Sequence, residues 1–142
     1  MKHAGFTIIE VVIALAIMAI LFGLTASSLT GSYASYQFQS ERDLALALIR
    51  KARSQALTGT NSKDHGVKVA SASFIAFDGA SYATRDSSKD IVLPRISTVS
   101  ITGASEVVFA YLTGRSSTTT LVLSEGANTA SISINQEGLI SW

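Results

Sequence analysis

The chain has 142 residues, which is enough for one small folded domain with an appendage but too short for two ordinary domains with separate cores. Its 11 lysines and arginines almost balance its 10 aspartates and glutamates, so the overall charge gives no case for nucleic-acid binding. Cysteine is absent, which excludes a disulfide framework and a thiolate metal site. Hydrophobic residues make up 47% of the chain, and they are concentrated near its N-terminus.

The first element in chain order is an apolar run over residues 6–26. Its length of about 20 residues is what a helix needs to cross a bilayer, and Glu10 is the only charged residue within it. Lys2 precedes the run and the next lysine or arginine is Arg42. The positive-inside rule therefore predicts a single-pass segment with a cytoplasmic N-terminus and an extracytoplasmic remainder.

Three kinds of segment compete for this run. A secretory signal peptide would use Lys2 as its basic end and residues 25–27 as small residues for cleavage, whereas a plain membrane anchor would need only the apolar length. Neither explains Glu10, because a carboxylate near the bilayer centre costs about 2.5 to 3.5 kcal/mol on insertion scales and generally needs a partner. The third kind is indicated by the residues that surround Glu10.

A short motif precedes the apolar run and reads K-x-x-G-F-T-x-x-E. It consists of Lys2, Gly5, Phe6, Thr7 and Glu10. The motif resembles the class III signal of type IV prepilins and type II secretion pseudopilins. The resemblance implies that a prepilin peptidase of the membrane removes a leader of residues 1–5 by cutting after Gly5, and that it methylates the new amine of Phe6. It also implies that Glu10 pairs with the N-terminal amine of a neighbouring subunit, which makes it an assembly residue and not a catalyst.

A helical pattern resumes further along the chain. Leu44, Leu48 and Ala52 recur every four residues, which predicts an amphipathic helix. Its opposite, solvated face is expected to carry Glu41, Arg42, Arg50, Lys51 and Arg53. The resemblance implies one long helix, with residues 6–30 as its transmembrane or filament-core half and residues 31–57 as its amphipathic half. Gly59 and Asn61 are expected to end it.

The remaining residues, 58–142, are predicted to form a β-rich globular head. Runs rich in Val, Ile, Thr and aromatic residues alternate with turn residues at intervals of about 8 to 12 positions. The predicted strands cover residues 67–70, 74–77, 91–93, 96–102, 106–112, 119–124, 130–135 and 139–142. The predicted turns lie at Asp78-Gly79, read as a hairpin signal, and at Thr113-Gly114, Glu125-Gly126 and Glu137-Gly138. The expected fold class is α+β, with a long N-terminal helix packed on an antiparallel sheet head, as in the pilin fold.

A second likeness concerns the end of the helix and the head. The segment Ala52-Arg53-Ser54-x-Ala56, followed by Phe109 with Gly114 and by a terminal strand-Gly-strand pattern, is similar to the GspH/FimT group of minor pilins and pseudopilins. In that group such a segment closes the long helix. The likeness implies a minor component of a filament, and the sequence leaves open whether that filament is a pilus or a secretion pseudopilus.

Other candidate sites in the head are weak. His3 lies in the leader, and His65 has Asp64 beside it but no further metal ligands that the sequence identifies. No nucleophile-base spacing or glycine-rich phosphate loop stands out, so we expect no metal, no cofactor and no enzymatic activity. Four basic residues at loops or strand ends could in principle meet DNA phosphates: Arg85, Lys89, Arg95 and Arg115. Asp86, Asp90 and Glu106 are interspersed with them, so DNA contact is not favoured.

These expectations combine into one functional prediction. The resemblance implies a cleaved and methylated subunit, a minor one in the GspH/FimT sense, whose N-terminal helix anchors it in the inner, cytoplasmic membrane and then enters a type IV pilus or type II secretion pseudopilus. Its expected partners are prepilin peptidase, other pilin or pseudopilin subunits and the assembly platform. The alternative is a tip-located minor pilin whose head binds DNA, a surface or a secreted substrate. A membrane-tethered enzyme would instead need a polar pocket with perturbed titratable groups.

Overall fold

The computed structural model describes the backbone of residues 5–142 and the side chains of residues 5–23 and 33–142. Its class is α+β, as predicted, because helix α1 (Ile8–Leu57) precedes eight strands within the described residues. The chain divides into two compact units, Met1–Tyr36 and Gln37–Trp142. Leader residues 1–4 lie outside the described residues.

The first unit contains the N-terminal part of α1. Large apolar side chains from Phe6 to Phe22 are exposed in the single chain. Among the described residues, no helix combines the length and the hydropathy that a bilayer crossing requires. The predicted span, residues 6–30, runs into residues 24–30, whose side chains lie outside the described set.

The second unit contains two four-stranded antiparallel sheets. The first sheet has the order β3-β2-β1-β5 and is built from β1 (His65–Val69), β2 (Ser73–Asp78), β3 (Ile91–Pro94) and β5 (Glu106–Phe109). The second has the order β4-β6-β7-β8 and is built from β4 (Ser100–Gly103), β6 (Thr119–Glu125), β7 (Asn128–Ile134) and β8 (Ile140–Ser141). Each of the eight predicted strands overlaps an observed one, so the prediction of a β-rich head is confirmed.

Two predicted strands extend well past the observed ones. The strand predicted over residues 96–102 begins only at Ser100, because residues 96–99 form a turn in which the Val99 amide donates to the Ile96 carbonyl at 3.2 Å. The strand predicted over residues 106–112 ends at Phe109, and Leu112 has a φ of 59°, which is incompatible with extended backbone. Both errors arise where the chain turns to bury an apolar side chain or to meet the helix.

The hairpin predicted at Asp78-Gly79 is wrong. Strand β2 pairs with β3, and the 12 residues 79–90 between them contain two short 3-10 helices, Tyr82–Thr84 and Ser87–Lys89. The Gly79 amide donates to the carbonyl of Asp64 at 2.8 Å instead of closing a tight turn. The turns predicted at Glu125-Gly126 and Glu137-Gly138 are confirmed, since they join β6 to β7 and β7 to β8.

The outer half of α1, residues 37–57, packs on both sheets through one buried stripe. Its members recur at spacings of three and four residues, which places them on one face of a helix. They are Phe38, Glu41, Ala45, Ile49, Ala52 and Ala56. The apolar members join a single core with side chains from both sheets, among them Phe74, Phe109, Leu121 and Ile132. The stripe therefore fixes this half of the helix to the head.

The end of α1 is held by backbone contacts with a distant loop. The helix ends at Leu57, as predicted, and Gly59 follows in the left-handed region with a φ of 68°. The amide of Leu112 donates to the carbonyl of Ala56 at 2.9 Å, which satisfies a helix-end acceptor. The loop after β5 thus acts as a C-terminal cap for the long helix.

Candidate functional site

The predicted processing segment lies immediately before the helix. Gly5, Phe6 and Thr7 are not helical, and α1 begins at Ile8. The Thr7 carbonyl accepts from the amides of Glu10 and Val11 at 3.1 and 3.3 Å, and the Thr7 hydroxyl also accepts from the amide of Glu10, at 3.3 Å. These contacts make Thr7 the N-cap of α1. The peptide bond between Gly5 and Phe6 is therefore outside the helix.

The predicted assembly residue, Glu10, lies in the first turn of α1 at the edge of an apolar groove. The groove has a volume of about 420 Å³, and its lining residues are Phe6, Glu10, Val11, Ala14, Leu15 and Met18. A carboxylate in this position is stabilised by the positive, N-terminal end of the helix dipole.

The four cations proposed for DNA contact differ in their surroundings. Arg95 is buried, and its Nε donates to Glu41 Oε1 at 3.0 Å, which leaves no exposed guanidinium for a phosphate. Arg85 donates to both carboxylate oxygens of Asp90 at 2.8 and 3.0 Å, and this hydrogen bond raises the pKa of Arg85. Lys89 is exposed at the end of a 3-10 helix.

The fourth cation, Arg115, is exposed and pairs with Glu137 at 3.0 Å. All three predicted arginines are thus already matched by a carboxylate of this chain. Such pairing lowers the positive potential that a phosphate backbone would meet.

The pair between Glu41 and Arg95 was missed by the sequence analysis, which placed Glu41 on the solvated face. The side chains of Glu41 and Arg95 are only 1% and 6% exposed. The second carboxylate oxygen accepts from the amide of Ile96 at 3.1 Å, while the two terminal nitrogens of Arg95 donate to the carbonyls of Ala70 and Val99 at 2.7 and 2.9 Å. The pair joins α1 to the segment between β3 and β4.

The sequence did carry a signal for this burial. Glu41 is three residues after Phe38 and four before Ala45, so it continues the spacing of the apolar stripe. A charged residue inside such a stripe needs a buried partner, which is far along the chain and cannot be identified by periodicity.

His65 is also buried, with a side chain that is 1% exposed. Its Nε2 lies 2.8 Å from the carbonyl oxygen of Thr60, and its Nδ1 lies 2.8 Å from Asp78 Oδ1 in a contact whose angle is poor for a hydrogen bond. Asp78 Oδ2 accepts from the side-chain amide of Asn61 at 2.6 Å. These contacts tie the loop after α1 to the end of β2, which is a structural role. Within the described residues, no three His, Asp or Glu side chains are grouped so as to hold a metal ion.

A comparison with known families points to the N-terminal segment. Residues 1–26 match the family model described as the prokaryotic N-terminal methylation motif. Neither the curated proteins nor the solved structures contain a match to this chain. The matched region includes Gly5, Phe6 and Glu10. The match supports a type IV pilin-like protein, since a leader of this kind implies processing by prepilin peptidase, membrane anchoring and association with other pilins.

Proposed function

We propose that this protein is a minor subunit of a type IV pilus or type II secretion pseudopilus, cut between Gly5 and Phe6, methylated at Phe6, and assembled through α1. The observation that carries the proposal is the methylation motif at residues 1–26, joined to a helix that begins at Ile8 and has Glu10 in its first turn. The role is non-catalytic.

The proposed topology follows from the same segment. The apolar first half of α1 anchors the precursor in the inner membrane with a cytoplasmic N-terminus, and the head lies outside. Glu10 is unfavourable for a lone subunit in the bilayer, because an unpaired carboxylate in low dielectric is costly. Pairing with the Phe6 amine of a neighbour offsets that cost and defines the axial register between subunits.

The assignment to the GspH/FimT type is supported by the packing at the end of α1. Ala52 and Ala56 of the A-R-S-x-A segment are 1% and 0% exposed. Both side chains belong to the close-packed core between α1 and the sheets. Larger residues would overpack that core, so the segment has a physical reason to be small.

Assembly is tested with Glu10→Gln, which removes the charge and keeps the shape of the side chain. We expect normal insertion and cleavage but at least about tenfold less incorporation into filaments, because breaking a buried ion pair typically costs about 3–5 kcal/mol. Glu137→Gln, which alters an exposed pair in the head, is the matched control and should assemble normally. Wild-type incorporation of Glu10→Gln, measured by quantitative blotting of sheared filaments, would refute the role of Glu10.

Processing is tested by the intact mass and N-terminal sequence of the protein recovered from membranes after coexpression with a prepilin peptidase. A chain that begins at methylated Phe6 supports the proposal. An uncut chain, or a cut near Ala26, would instead indicate a tethered or secreted β domain.

The alternative function, DNA binding by a head at the filament tip, has less support because Arg85, Arg95 and Arg115 are each paired with a carboxylate. The discriminating measurement is salt-dependent DNA binding by the fragment Gln37–Trp142. Loss of that binding on replacing Lys89 and Arg115 would favour the alternative over a purely structural role.

A further inference from the structure

The residues that follow the cleavage site carry the sequence signals for starting a helix. With Thr7 as the N-cap, Gly5 and Phe6 are the two residues outside the helix, Glu10 is its third residue and Val11 is its fourth. A threonine N-cap followed three residues later by glutamate is the sequence of a capping box. The motif that resembles a prepilin signal is therefore also a local folding signal.

A second feature of helix starts is present in the same residues. In a hydrophobic staple, an apolar residue just before the N-cap packs near the fourth helical residue. Phe6 and Val11 occupy these two positions, and both line the groove beside the first turns of α1. Cap and staple together specify that the helix starts at Ile8 and not earlier.

A helix start at this point matters for a peptidase. A bilayer favours extension of a helix, because backbone amides and carbonyls must find partners within the segment. Extension of α1 into the leader would enclose the peptide bond between Gly5 and Phe6 in helical hydrogen bonds. Attack on that bond requires its carbonyl to be free and oriented toward the catalytic groups.

Gly5 itself is not required by the fold of this chain. A side-chain carbon built on Gly5 would meet nothing within 4 Å, and its φ is not in the left-handed region. A requirement for glycine at the cut therefore belongs to the peptidase pocket. By contrast, Thr7 makes its contact within this chain, through the hydrogen bond from the Glu10 amide.

We propose that Thr7 is a positioning residue for leader cleavage: by capping α1 it keeps the Gly5–Phe6 bond outside the helix and accessible to the peptidase. The inference rests on the proposed function, since it requires that this bond is the one cut. It assigns separate tasks to neighbouring residues, because Thr7 controls cleavage while the charge of Glu10 controls assembly.

The test is a rate comparison on the full-length chain coexpressed with a prepilin peptidase, with cleavage followed by pulse labelling. Thr7→Val has nearly the same shape as threonine but no hydroxyl, whereas Thr7→Ser and Thr7→Asn differ in shape but cap helices well. We expect Ser and Asn to be cut at about the wild-type rate and Val about fivefold more slowly, which corresponds to the typical worth of an N-cap.

The outcomes separate the two proposals. If the wild-type chain is not cut at all, the proposed function fails and this inference fails with it. If the wild-type chain is cut and Thr7→Val is cut equally fast, only the inference is overturned. A ranking by shape, with Val fast and Ser and Asn slow, also overturns it, because it would mean that the peptidase contacts Thr7 directly.

A spectroscopic measurement provides a readout that direct contact with the peptidase would not change. Backbone chemical shifts of residues 5–9 in the full-length chain in detergent micelles report where the helix starts. Thr7→Val should shift residues 5–7 toward helical values, and Thr7→Ser should not. An unchanged helix start in Thr7→Val would overturn the inference even if its cleavage were slow.

Discussion

Replacing Glu41 by glutamine should destabilise the head strongly, although the change removes one charge and almost no volume. The side chain of Glu41 is 1% exposed, and its two oxygens accept from Arg95 Nε and from the amide of Ile96. Glutamine offers one acceptor oxygen and one NH₂ group to these two donors. One donor is thus left unsatisfied, and the guanidinium of Arg95 stays buried without a counter-charge.

The expected loss follows from the burial of the pair. Removing one partner of a buried ion pair costs about 3–5 kcal/mol, whereas an exposed pair contributes about 0–1 kcal/mol. Domains of this size are usually stable by about 5–15 kcal/mol, so a large share of the stability would be lost. The assay is urea unfolding of the fragment Gln37–Trp142, which contains the whole buried core. At a slope near 2 kcal/mol per molar urea, the midpoint should fall by about 2 M.

Two further variants make this prediction refutable. Glu137→Gln alters a pair with the same 3.0 Å separation from Arg115 but on the surface, and it should change the free energy of unfolding by less than about 1 kcal/mol. The double variant with Arg95→Met and Glu41→Met should lose at least about 2 kcal/mol less unfolding free energy than the sum of the two single variants. Each single variant leaves one buried charge unpaired, whereas the double variant leaves none. Equal effects of Glu41→Gln and Glu137→Gln would refute the reasoning.

Two further predictions concern a turn and a carboxylate. Gly138→Ala should destabilise the head far more than Gly126→Ala. Both glycines have a positive φ, which costs an alanine about 1–2 kcal/mol. At Gly138 the added carbon would also collide with the carbonyl oxygen of Gly114, whereas at Gly126 it would meet nothing. Equal losses in thermal unfolding would contradict this. Hydrogen bonds from the hydroxyl and amide of Ser88 hold the pKa of Asp86 below its usual range. The stability that these bonds contribute is therefore present above the ordinary pKa of an aspartate and is lost as pH falls through the lowered pKa of Asp86. Ser88→Ala should raise the pKa of Asp86 in an NMR titration, Ser87→Ala should not, and an unchanged Asp86 in Ser88→Ala would contradict the assignment.

Local patterns were sufficient wherever neighbours in sequence determine the structure. The left-handed Gly59 after the end of α1 and the turn at Glu125-Gly126 depend on residues a few positions apart, and both the helix end and the turn were predicted correctly. The start of α1 at Ile8 is equally local, since Thr7 caps the helix, although residue 6 was the predicted start. In such cases the physical cause, a cap or a turn residue, is visible in the sequence.

Contacts between distant residues were not predictable in this way. Asp78-Gly79 has the composition of a hairpin, yet Asp78 binds Asn61 and Gly79 binds Asp64, because the end of β2 lies beside the loop that follows α1. A tight turn at Asp78-Gly79 is compatible with these two residues, but the hydrogen bonds to the loop after α1 form instead. The sequence alone does not show that this loop lies beside the end of β2.

The amino-acid sequence by itself determined the processing motif, the amphipathic part of α1 and the eight strands of the head, because each depends on the order of residues within a short window. The continuity of the long helix was implied by the resemblance to pilins. The tertiary structure alone decided that Glu41 is buried, that Arg95 is its partner and that the loop at Leu112 caps the helix. Glu41 and Arg95 are 54 residues apart, and their attraction exists only once the core has excluded water from both. Periodicity can indicate a buried position, but the identity of its partner is a property of the fold.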